Sequence, residues 1–298
     1  MFDTHIAAHA RGPAELNRSK PFLGTLVEIS IGADAPYADI LAVSQAAFAE
    51  IERVHKLMSF HDDESELSHI NNQAYLRPVR VSDHTCRVLE QALELSALSD
   101  GLFDVTIGHE MMKAGALPRK FPSSQQGSWE DVELHNNHVR LHRDIKIDLG
   151  GIAKGYAVDC AANLLLNSGL AAARYSVNAG GDLWMSHWQG ARTVLRHPSP
   201  DKAATFYPLA VQQAAVATSN PCHAPGTAQI CHTPNRSMVN RCQSVSVFAS
   251  KCMLADALTK VAFLEPQHTR ILNYVGASAV FFDPHSEPRM IEGDPDDF

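Results

Sequence analysis

No run of about 18 apolar residues free of charged or polar breaks occurs in this 298-residue chain, so no integral membrane segment is expected. Residues 1–20 hold no cationic start followed by an apolar block, and no early cysteine for a lipid anchor. A cytoplasmic location is therefore the default expectation. An excess of positive charge is lacking too: 25 Lys and Arg stand against 33 Asp and Glu, a net charge of −8. A surface that neutralises nucleic-acid phosphates needs clustered Lys and Arg, so no nucleic-acid partner is expected. Cysteines number only six, and in a reducing compartment they are thiols rather than a disulfide framework. Repeats and low-complexity tails are absent. Between residues 203 and 235 there is no Asp, Glu, Lys or Arg. Pro208, Pro221, Pro225 and Pro234 interrupt that stretch, which reads as a strand followed by a long irregular loop.

What remains is the balance of a globular protein, 45% hydrophobic and 19% charged. Residues 22–31 alternate and are rich in β-branched side chains, which predicts a strand. Ile40, Val43, Phe48, Ile51, Val54 and Leu57 recur at helical spacing and predict an amphipathic helix over 35–58. Ser82 or Asp83 caps a second helix that runs to Leu98 and stops at Asp100-Gly101. Residues 139–149 read as two short strands. Helices are predicted over 153–167 and 253–263, and strands over 174–178, 244–249 and 278–282. The elements do not alternate regularly, so the expected class is α+β, with mixed sheets flanked by helices. Residues 19–290 are read as one domain, or two intimately joined lobes. An N-terminal extension (1–18) and an acidic tail (291–298) flank it.

The segment Ile147-Asp148-Leu149-Gly150-Gly151-Ile152-Ala153-Lys154-Gly155-Tyr156-Ala157-Val158-Asp159 carries the most chemistry. A strand ends, two glycines turn the chain, and a helix begins. Glycines admit close approach to a ligand, and a helix start offers unpaired N–H groups, a combination suited to phosphate. A tight turn before a packed helix is the plain alternative. Tyr156 is read as core. Three further polar turns, 100–108, 178–182 and 216–220, suggest a ligand cleft at strand ends. Asp256 and Lys260, four apart on a predicted helix, are either a surface pair or a carboxylate aimed at a phosphate site. Cys222-His223, Cys231-His232 and Cys242 lack the short C-x₂₋₄-C element of a zinc site and read as scattered thiols.

Together these motifs resemble the FAD:protein FMN transferase (ApbE) family. Leu23-Gly24-Thr25 is similar to its opening strand and FHDDESELSHIN (60–71) to its S-E-L-x-x-I-N segment. Residues 101–108 are similar to its F-D-x-T-x-G turn. IDLGGIAKGYAVD, VNAGGD, ATSN and LADALTKVAF follow in the family's order, so the resemblance covers roughly residues 20–285. It implies a flavin cleft between lobes, FAD as substrate, Mg²⁺ as cofactor, and an acceptor protein whose Thr hydroxyl receives FMN as AMP leaves. Carried over by position, Leu23, Leu102, Phe103, Asp104, Asp148, Gly150, Gly151, Lys154, Thr218 and Ser219 bind FAD. Asp256 and the carbonyl of Gly151 hold the metal.

The match departs in two places. The family's A-D-x-x-x-T places Thr where this chain has Lys260, and Thr259 lies one residue early, about 100° around a helix. Three arrangements stay open: a metal on Asp256, carbonyls and water; a shifted helix bringing Thr259 in as a ligand; or the Lys260 ammonium replacing part of the metal's charge, which is favoured. In the family's H-I-x-D-P-x-T-G segment, whose His is a proposed base for the acceptor Thr, this chain keeps His232 but lacks the Asp and Gly. Catalytic roles are thus expected for His232, Asp256 and Lys260. An FAD-binding protein with lapsed chemistry and an FAD diphosphatase are the alternatives to the transferase.

Overall fold

The strand expected over 22–31 is a hairpin. Ala14–Phe22 (β1) pairs antiparallel with Thr25–Ala33 (β2), and Phe22 faces Thr25 across a two-residue turn. Leu23 and Gly24 both take positive φ, 56° and 72°, the geometry that two-residue hairpin loops favour. A leucine in that conformation hides the turn inside an apolar run. The computed structural model describes residues 14–202, 205–221, 230–239, 241–267 and 269–292. Residues 1–13 of the expected extension, Cys222, His223, and the tail from 293 lie outside the described residues.

In chain order the remaining elements are α1 (Tyr37–Met58), α2 (Glu66–Gln73), β3 (Val79–Arg80), α3 (Asp83–Leu98), α4 (Gly108–Ala114), β4 (Val132–His135), β5 (His138–Leu141), α5 (Ala153–Leu166), β6 (Arg174–Ala179), β7 (Asp182–Met185), β8 (Arg192–Arg196), β9 (Phe206–Ala210), β10 (Ala215–Ser219), β11 (Ile230–His232), β12 (Ser237–Val239), β13 (Ser244–Ala249), α6 (Cys252–Leu264), α7 (Thr269–Tyr274), β14 (Ser278–Phe282) and β15 (Arg289–Glu292). The class is α+β. The main sheet runs β1-β2-β6-β7-β10-β13-β14-β15, and its ladders are antiparallel rather than mixed. Residues 203–235, read as one strand and a loop, contribute β9, β10 and β11. No helix among the described residues is long and apolar enough to cross a membrane.

Period-two patterning puts Val245, Val247 and Ala249 of β13 on the helix-covered face. Phe248 joins Leu195, Val216, Val280 and Phe282 in a smaller cluster on the other face, packed with Tyr207 and Leu209 of the β8–β9 hairpin. α5 packs between α1 and α6, and α6 packs on β10 and β13. Asp159, last in the glycine-rich motif, sits on α5 and accepts hydrogen bonds from the N–H groups of Cys252 (2.7 Å) and Met253 (2.9 Å). It therefore caps α6, whose own N-cap residue Lys251 supplies no side-chain bond. Asp159→Ala is expected to cost about 1–2 kcal/mol, read as a lower urea midpoint. An unchanged midpoint would show that the cap carries nothing.

The second strand expected within 139–149 does not form. Residues 145–149 are buried and extended, but a side chain takes the place of a neighbouring strand. Asn71 donates to the carbonyl of Ile147 (2.8 Å) and accepts from its N–H (2.7 Å). Asp148 N–H donates to Val105 O at 2.8 Å and Gly108 N–H to Lys146 O at 2.9 Å. The Asn of the S-E-L-x-x-I-N segment is thus the strut that presents Asp148 and the glycines.

Candidate functional site

The 148–151 turn, the 101–108 turn, the start of α5, α6 and the ends of β6, β7 and β10 enclose a cleft of about 930 Å³. That is at the upper end of small-molecule pockets, large enough for a dinucleotide. Leu102, Phe103, Asp104, Asp148, Gly150, Gly151, Lys154, Thr218, Ser219 and Lys260 all line it. Thr25, Leu26, Asn178, Gly180, Gly181 and Asp182 also line it; Thr25 belongs to the opening-strand motif and 178–182 to the expected polar turn, but neither is predicted as a binding residue.

Two acids and two lysines meet at one side of it: Lys154, Asp182 and Lys260 line the cleft, and Asp256 lies buried behind them. Asp256 (1% exposed) meets Lys154 Nζ through Oδ2 at 3.3 Å and accepts from the N–H of Gly155 at 3.2 Å. Its Oδ1 pairs with Lys260. Asp182 (2% exposed) pairs with the same Lys154. Burial alone would raise the Asp256 carboxyl, but Lys154, Lys260 and the Gly155 N–H outweigh it and hold it at about 2. Burial and the Asp256 charge push Asp182 up to about 6. Lys154 is pushed up: burial alone would lower it, and its two carboxylate partners more than offset that. The two carboxylates thus favour its charged form. Burial also raises Asp148, partly offset by the Gly150 N–H on its Oδ1 at 3.0 Å.

The other expected residues divide. The Asp104 carboxylate is engaged internally: it accepts from Thr106 N and Oγ1 (2.8 Å each), Trp129 N (3.2 Å) and Arg236 Nη2 (2.7 Å). Arg236 had drawn no attention in the sequence. Its guanidinium also donates to Thr106 O at 3.2 Å, and Thr233 Oγ1 donates to Leu102 O at 2.9 Å. These bonds dock the β11–β12 hairpin on the 101–108 turn. His232 lies in that hairpin between Cys231 and Thr233, which line the cleft while His232 does not. Its Nδ1 is buried and has no hydrogen-bond partner among the described residues. Leu23 also stands off the cleft, packed on the core with its N–H on His55 Nδ1 at 3.2 Å. The segment 216–220, expected as a turn, is mostly β10, and its Thr218 and Ser219 hydroxyls bond Ser246 and Thr259 at 2.7 Å each. Tyr156 is buried as expected, with its hydroxyl on His84 Nδ1 at 2.9 Å. Of the cysteines in the zinc question, Cys231 is buried and Cys242 contacts Pro198 O at 3.7 Å. The single group of metal-ligating side chains found among the described residues, Glu50, His84 and Cys160, contains neither.

The metal set implied by resemblance, Gly151, Asp256 and Thr259, is not an open set of oxygens. Each Asp256 carboxylate oxygen already faces a lysine. The Thr259 hydroxyl is fully buried, donates to Asp256 O at 2.7 Å and bonds Ser219. Mg²⁺ requires near-octahedral oxygen ligands, and both Asp256 oxygens are taken up by ammonium groups. The residues as arranged do not fit the ion.

Residues 23–281 match the ApbE family. This chain belongs to it. It is 29% identical over 277 residues to the FAD:protein FMN transferase of Vibrio cholerae, covering 85% of this chain and 82% of that one. It is 23% identical to the Treponema pallidum protein of the same name, covering 94% and 87%. Among solved structures, the flavin transferase ApbE from Vibrio cholerae superposes with a TM-score of 0.80 at 23% identity, covering 95% and 98%. The ApbE protein from Thermotoga maritima gives 0.77 at 22% identity, with the same coverage.

Proposed function

We propose that this chain is an FAD:protein FMN transferase that moves FMN from FAD onto a Thr hydroxyl of an acceptor protein. The acceptor oxygen bonds to the FMN-side phosphorus, the bridging P–O bond breaks, AMP leaves with the bridging oxygen, and the hydroxyl proton is released. The observation that carries this reading is the meeting of the Gly150-Gly151 turn and α6 at a charged cleft end. Asp256 receives the Gly155 N–H at 3.2 Å, and Lys260 lies against Gly151.

Transfer between phosphate esters is mainly a matter of position and charge. Asp182 and Asp256 hold Lys154 so that its ammonium is positioned before substrate arrives. Leu102 and Phe103 supply apolar wall for a ring system. Of the expected residues, His232 remains the proposed base for the acceptor hydroxyl, supported by an Nδ1 that has no hydrogen-bond partner among the described residues and by its neighbours Cys231 and Thr233, which line the cleft.

Incubation with FAD and a Thr-bearing acceptor protein is expected to yield AMP and an acceptor band that stays fluorescent on a denaturing gel. AMP with only free FMN would mean hydrolysis instead, and bound FAD without AMP would mean a binding protein.

A further inference from the structure

We propose that Lys260 is a built-in counter-charge for the substrate's diphosphate, standing in for a divalent metal, so that this chain binds FAD without one. The idea rests on the flavin reading above but makes a separate claim about charge.

Lys260 lies one turn along α6 from Asp256, and its ammonium donates to the Asp256 carbonyl at 2.9 Å and to Oδ1 of the same residue. Two of its three N–H donors are thereby used, and the third remains for an anion. The side chain is 21% exposed and lines the cleft. It runs over the glycine turn: a Cβ built on Gly151 would lie 3.4 Å from Lys260 Cε. The ammonium is therefore held between the carboxylate and the backbone that phosphate oxygens would approach.

The surroundings exclude the alternatives. The network of Lys154, Lys260, Asp182 and Asp256 is balanced, two charges of each sign. A divalent ion would meet the Lys260 ammonium in place of the expected Thr, and an Asp256 carboxylate whose two oxygens already face lysines. A diphosphate oxygen would instead accept from the Lys260 and Lys154 ammonium groups, which line the cleft while Asp256 does not. Thr259 cannot stand in, because its hydroxyl is buried and shared between Asp256 O and Ser219. In the reaction Lys260 forms and breaks no bond. It offsets charge that grows on the departing phosphate.

FAD affinity, read by flavin fluorescence quenching in EDTA and in MgCl₂, tests this without turnover. Wild type is expected to bind FAD equally in both buffers. Lys260→Thr is expected to bind about tenfold more weakly in EDTA, the scale of one lost charge-assisted hydrogen bond, and to regain affinity with Mg²⁺. Lys260→Arg, which keeps the charge, is expected to stay metal-indifferent and guards against a folding effect of the threonine. The proposal is overturned if wild type needs Mg²⁺ to bind FAD, or if calorimetry shows a tight Mg²⁺ site that Lys260→Thr leaves unchanged. Either result leaves the transferase reading standing. Equal FAD binding in both buffers with no AMP released to any acceptor would remove the transferase reading and keep this one.

Discussion

Asp256→Ala is expected to cut AMP release by at least about a hundredfold and to lower the unfolding free energy by about 3 kcal/mol. The stability loss follows from what the carboxylate leaves behind. Lys154 loses one of two ion-pair partners and Lys260 its one ion-pair partner among the described residues, while the Gly155 N–H loses its acceptor. Removing one partner of a buried pair costs about 3–5 kcal/mol because the other charge stays uncompensated. Here the lysines are 30% and 21% exposed and can turn partly to water, so the low end applies. The activity loss is larger because a misplacement of about 1 Å can cost a hundredfold in rate, and Asp256 positions both cations. The pH dependence has a definite sign. Asp256 is held at about 2, below its ordinary 3.8. Its contribution is therefore complete above pH 4 and is lost as pH falls towards 2. Urea titrations of wild type and variant should converge over that interval. A variant as stable as wild type at pH 7 would mean the network contributes nothing to the fold.

Gly155→Ala sets two effects against each other. In a helix interior alanine is better than glycine by about 1 kcal/mol. A Cβ on Gly155, however, would lie 2.3 Å from the Cys252 carbonyl oxygen, 2.6 Å from its carbon and 2.8 Å from Met253 Cα. All three are backbone atoms, so α5 and α6 must move apart. Overpacking of that kind costs about 3 kcal/mol or more. The clash wins, and the displacement pulls the Gly155 N–H away from Asp256. Lower stability and loss of FAD binding are expected together, in denaturant titration and fluorescence. Gly151→Ala is the contrast. Its added methyl meets the flexible Lys260 at 3.4 Å and Phe103 at 3.8 Å, so stability should hold within about 1 kcal/mol while FAD affinity falls. If Gly155→Ala instead folds and binds normally, the helix contact is not what sets the site.

Local features were legible where the chemistry is local. The 3.6-residue spacing in α1 and α3 and the Ser82 cap marked their helices, because apolar periodicity and capping act within a few turns. β13 and β14 were equally clear, because short runs of Val, Ala and Phe favour a strand, and both are buried throughout. The β1–β2 turn was not, since Leu23 adopts a positive φ that its identity does not announce. Nor was the strand at 145–149 correctly expected, because a side-chain amide from Asn71 replaces the partner strand.

By itself the sequence determined the α+β class, the glycine turn ahead of α5 and the i, i+4 placement of Asp256 and Lys260, since spacing along one chain fixes all three. Only the tertiary structure decided what those residues face. Asp159 caps a helix 93 positions away, Arg236 reaches back to Asp104 across 132, and Lys154 ties Asp182 to Asp256. Burial gives these pairings their strength, and burial depends on which elements pack together.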